Sequence, residues 1–124
     1  MAHDTQREMR ADYDADQDVL YIHAEDAIVK ESIEVQEDVV IDVDKHGALA
    51  GIEIFDAHQL LHTLNGAITK EALKGLDLVG VKAINYRNYV IVTLLLHIGG
   101  AIIEEKLPAF SLTKYDSPLV ASAA

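Results

Sequence analysis

Asp14, Asp16 and Asp18 occupy alternate positions of the chain, and Glu25 follows at the twelfth place counted from Asp14. Those are ligand positions of an EF-hand loop, and calcium takes clusters of oxygen ligands of this kind. The sixth place, where such a loop turns on glycine, is Val19. The flanking segments also read as strands, and a strand cannot wrap an ion. The acids therefore read as an Asp-rich turn, since aspartate favours turns by bonding its own backbone. His58 and His62 lie four apart on a predicted helix, a spacing that can bind zinc. A metalloprotease would place glutamate after the first histidine as general base. Here the residue is Gln59, and no third ligand is evident. His23 and His97 sit beside turns, where paired histidines at an interface would confer pH sensitivity.

Other chemistry is excluded or unsupported. The chain has no cysteine, so disulfides, thiolate zinc sites and cysteine nucleophiles are ruled out. No serine lies in a Gly-x-Ser-x-Gly elbow. No glycine-rich phosphate loop occurs. Glu53 or Asp56 could act as an acid or base if a cavity raised its pKa. Glu53, however, alternates with Ile52 and Ile54 and points away from their core. No catalytic, cofactor-binding or metal-ligating role is assigned to any residue on these grounds, and no cofactor is implied.

The elements that must carry these residues are mostly strands. Segments 9–14, 19–24, 29–35, 39–44 and 49–55 read as a meander of about five strands. In 39–44, Val39, Ile41 and Val43 alternate against Val40, Asp42 and Asp44. In 29–35, Val29, Ile33 and Val35 face one way. Asp44-Lys45-His46-Gly47 is a hairpin loop. A helix follows, with Asp56 as N-cap, a stripe of Leu60, Leu61 and Leu64, and Asn65-Gly66 as its stop. A second short helix is predicted over 69–74. Strands resume at 76–85, 89–98 and 101–107, the last two joined by Gly99-Gly100, a hairpin signal. The fold class is α+β, mostly β. Residues 1–108 form one domain, with units at 9–64 and 65–108, and residues 109–124 form a frayed tail. A faint repeat relates 20–31 to 94–105 at an offset of 74.

Charge divides the chain. Residues 1–56 hold 16 acids against 4 Lys/Arg, whereas residues 57–124 hold 5 against 6. An acidic field repels nucleic acid phosphates and attracts basic partners or cations. The polar start of the chain predicts no leader peptide. The most apolar run, 90–103, is shorter than the ~20 residues a spanning helix needs, so a soluble cytoplasmic protein with no membrane partner is expected. The 90–98 strand is apolar on both faces apart from Thr93 and His97, so it should be covered twice. That predicts homo-oligomerisation through the 90–107 hairpin.

Tyr13-Asp14, Asp18-Val-Leu-Tyr-Ile22, Glu31 with Glu34-Val35, and Gly51-Ile-Glu-Ile-Phe-Asp-Ala57 form a pattern. Ile41, Asp42, Asp44, Gly47 and Leu49 complete it. Through these residues, positions 9–64 resemble the short proteins grouped as domain-of-unknown-function family 2283. The resemblance implies a small β-meander capped by a helix. It brings no catalytic residues, and it suggests an antitoxin-like role. The expectation is a non-enzymatic oligomeric interaction module with an acidic face for a basic protein partner. The alternatives are a calcium- or zinc-binding protein and a small-ligand-binding β domain.

Overall fold

A computed structural model describes residues 3–86, 89–107 and 110–111. In chain order these form β1 (His3–Asp14), β2 (Val19–His23), β3 (Glu31–Gln36), β4 (Val39–Val43), β5 (Leu49–Phe55), α1 (Ala57–Leu64), α2 (Lys70–Lys74), β6 (Leu78–Asn85), β7 (Tyr89–Ile98), β8 (Ala101–Lys106) and β9 (Phe110–Ser111). All strands join one antiparallel sheet in the order β3-β4-β5-β2-β1-β6-β7-β8, with β9 also on β7. The expected mostly-β α+β class, the helices and the Gly99-Gly100 hairpin are all present.

Within that class the strand order departs from a simple meander. β2 pairs with β5, not with β3, so the 24–30 segment crosses to the far edge of the sheet. Strands β3 to β5 then return as a meander. Val29, expected to share a face with Ile33 and Val35, lies in the crossover before β3 begins and is well exposed. The offset of 74 does not mark a repeated unit. β7 pairs with β8 through a two-residue turn, whereas residues 27–32, which match β8 at this offset, lie mostly in the crossover and do not pair with β2.

β1 is the hinge of the architecture. Residues 3–10 pair with β6, and residues 10–14 pair with β2. Arg10 sits where the two pairings meet and reaches Glu25 on one side and Asp77 on the other. The alternating pattern drives one face of most strands inward: Met9 and Ala11, Leu20 and Ile22, Ile52 and Ile54, Val79 and Val81, and Leu94 and Leu96 belong to a single core. Fully burying each large aliphatic contributes about 1.5–3 kcal/mol. The sheet curls around this core until β3, at one end, lies beside β9.

Eight- and five-residue helices are too short to persist alone. α1 is held by Ala57 and Leu61, both fully buried; of the expected stripe, Leu60 is half-buried and Leu64 exposed. Asn65 ends it as expected, its N–H donating to Leu61. α2 is capped by the Thr69 side chain, which accepts from the Ala72 N–H. Of the tail expected to fray, Phe110–Ser111 pair with Val90 and Tyr89; residues 112–124 lie outside the described residues.

Candidate functional site

Directly opposed residues of an antiparallel ladder share a face. The register therefore lays out the outer face of β1–β5 in rows. One row runs Arg10, His23, Gly51, Asp42, Ser32, and the next runs Asp12, Tyr21, Glu53, Val40, Glu34. Along the second, Asp12, Glu53 and Glu34 carry the charge, as the alternation of Glu53 with Ile52 and Ile54 predicts.

In the first row, Asp42 is 7% exposed although it faces away from the core. It lies over Gly51, where a Cβ would stand 3.2 Å from its Oδ2 and 3.0 Å from the Ile22 carbonyl. Ser32 donates to Asp42 Oδ1 at 2.6 Å, and the Tyr21 hydroxyl donates to Oδ2 at a longer 3.4 Å. Burial, then the charge of Asp42, pushes the Tyr21 phenol above its ordinary range, so it remains a donor. Tyr21 stacks on His23, whose Nε2 is 2.9 Å from Asp12 Oδ2.

Beside this network lies an open cleft of about 590 Å³. Asp12, Tyr13, Asp14, Gln17, Val19, Tyr21, Glu53, Phe55 and Asp56 line it, with no basic residue among them. Four of the lining residues are carboxylates, and Val19, Tyr21 and Phe55 add apolar and aromatic surface. Such a surface suits a basic side chain, which gains from the charges and can lay its stem or cationic head on an aromatic ring.

The candidate metal ligands are not brought together. Asp14 Oδ1 accepts the N–H groups of Asp16 and Gln17, a local turn. Asp18 is turned to Tyr13 and α1, and Glu25 pairs with Arg10. His58 and His62 stand with rings 5.0 Å apart, and His62 Nδ1 donates to the Ile68 carbonyl. Among the described residues no three His, Cys, Asp or Glu form a group able to hold a metal ion. His97 is exposed on β7, strands away from His23 on β2.

Sequence reasoning missed what Asp18 does. Asp56 takes the N-cap position with φ 51° and makes no side-chain cap bond, contrary to expectation. Asp18 supplies that cap from another strand end: its Oδ1 accepts from His58 N–H at 2.9 Å and from the Tyr13 hydroxyl at 2.6 Å, and its carbonyl accepts from Ala57 N–H. The Tyr13-to-Asp18 spacing could signal only the local bond between those two residues; nothing near Asp18 in the chain points to His58, forty residues on. Asp12 and Phe55 joined the cleft without any signal, because only the β1–β2–β5 register places them there.

Residues 10–58 match the model of a family described as "Protein of unknown function (DUF2283)". The match runs from the middle of β1 to the second residue of α1, and so contains both the Asp18 cap and the Asp42–Gly51 contact. No curated protein and no solved structure matched the chain.

Proposed function

We propose, from the match of residues 10–58 to the DUF2283 family model, that the chain is a non-enzymatic, oligomeric protein-interaction module. Its acidic outer face takes a basic protein partner, in an antitoxin-like manner. The observation that supports this reading is the cleft, where Asp12, Asp14, Glu53 and Asp56 surround Val19, Tyr21 and Phe55 without a cation. Opposed surface potentials speed encounter and reject partners of the wrong sign. The same field disfavours nucleic acid. The second part of the proposal is self-association through the 90–107 hairpin. There Val90, Val92, Leu94 and Leu96 face the core, while Ile91 and Leu95 are half-covered on the outside.

The partner is sought by retaining host-lysate proteins on the immobilised chain and eluting with rising salt. The control is Asp12→Lys/Glu53→Lys. Asp14, Asp18 and Asp42 are left intact because they hold turns and strands together. A basic protein held at low salt, shed at high salt, and bound tenfold or more weakly by the folded variant is the expected result. Equal retention by the variant would overturn the proposal.

A further inference from the structure

The outer face of β6–β8 has a charge order that selects one way of pairing with itself. Its rows, read across β6, β7 and β8, are Gly80, Leu95, Glu104 and then Lys82, Thr93, Lys106. Leu78, His97 and Ile102 lie beyond the first row, and Ile84 and Ile91 beyond the second. Leu78 is 43% exposed and Ile102 62% exposed. Gly80 has a role here: a Cβ would stand 3.1 Å from the Leu95 side chain, so its absence lets Leu95 lie low across β6 and flattens the face. Among the described residues neither Glu104 nor Lys106 has an ion-pair partner.

We infer that this face packs on the same face of a second copy, about a two-fold axis running across the strands between the Leu95 and Thr93 rows. This rests on the self-association proposed above and adds its geometry. A two-fold contact must match a patch to itself. About this axis each row meets the other row of the partner copy, column by column. Glu104 then meets Lys106 in both directions, Leu78 meets Ile84, and Leu95 lies over Thr93, which is already nearly buried within its own chain. An axis along β7 would instead set Lys82 over Lys106, opposing like charges. The chosen axis gives the aligned face-to-face packing of sheets. Three strands ~4.8 Å apart and four rows ~6.8 Å apart make a footprint of only about 400 Å². That is small beside the ~800 Å² per partner of standard interfaces, so the dimer dissociates on dilution.

Sedimentation equilibrium from about 10 to 500 μM, the range suited to a small interface, tests it. The wild type should dimerise, Glu104→Lys and Lys106→Glu should each weaken the dimer tenfold or more, and the double exchange should restore it. Leu78→Asp should leave a folded monomer by circular dichroism. Pairing through the β8 edge would also respond to the charge exchange but would survive Leu78→Asp, and that result would overturn the face. Charge variants without effect would overturn the axis, and a wild-type monomer throughout would overturn self-association itself. The chain lacks cysteine, so Leu78→Cys/Ile84→Cys with a short bismaleimide reads the contact without introducing a charge that could disturb folding. Within one chain these sites are about 20 Å apart along a strand, too far to link. A covalent dimer is expected, and its absence would overturn the face.

Discussion

Replacing Asp18 by alanine should cost about 3 kcal/mol. Two donors lose a charged acceptor: the Tyr13 hydroxyl and the His58 N–H. Hydrogen bonds to charged groups contribute about 1.5–3 kcal/mol each, less where partly exposed, as here. Alanine would also have to hold φ 54°, a left-handed conformation that aspartate and asparagine tolerate better. A domain of this size should lose on the order of 10 °C in Tm. Asp18→Asn keeps the backbone preference and one acceptor, so about 1–2 kcal/mol is expected. A double-mutant cycle with Tyr13→Phe isolates the side-chain pair. A Tm within a degree or two of wild type for Asp18→Ala would reject the cap.

The same group gives a pH dependence of known sign. Burial alone would raise the Asp18 pKa, but the hydrogen bonds from Tyr13 and His58 outweigh it and lower the value. A carboxylate with a depressed folded pKa adds stability above its unfolded value, near pH 4, and loses it as pH falls through the folded value. Tyr13 shifts the other way: burial, then its bond to Asp18, raises the phenol. Its contribution is present below pH ~10 and lost as pH rises through the folded value. The gap in Tm between wild type and Asp18→Asn should therefore narrow on acidification below pH 4. A gap constant from pH 7 to pH 2.5 would contradict the linkage.

Gly51→Val should destabilise by about 3 kcal/mol, because the added atoms have no space to enter. A Cβ already meets the Ile22 carbonyl at 3.0 Å, which is backbone of a paired central strand and cannot swing aside, and Asp42 Oδ2 at 3.2 Å. Moving Asp42 would strand a nearly buried carboxylate away from Ser32 and Tyr21. Gly51→Ala should cost about 1 kcal/mol, a few tenths of an ångström being absorbed by the strand. Denaturant unfolding of both variants checks the order; Gly51→Val as stable as Gly51→Ala would mean the contact with Asp42 and Ile22 is not tight.

Most local elements were legible because they rest on periodicity and turn chemistry, which act between near neighbours in the chain. Val39, Ile41 and Val43 had to share a face whatever strand lay beside them, and Gly99-Gly100 turned the last hairpin through residues that tolerate positive φ. The candidate cleft was half legible. Glu53 was correctly placed outward, but nothing in its neighbours said that Asp12 would stand two strands away in the same row.

By itself the sequence determined the α+β class, the spans of the elements from β2 to β8 to within two residues, the outward side of β5, and the uneven division of charge, but not the 3–8 half of β1 or the short β9. These follow from side-chain alternation and composition, which need no partner. The tertiary structure alone decided that β2 lies against β5, that Asp18 rather than Asp56 caps α1, and that the acids gather around Val19, Tyr21 and Phe55. A strand edge offers the same N–H and C=O groups to any neighbour. Which neighbour it takes is settled by how the whole apolar surface is buried at once, a condition that no short stretch of chain contains.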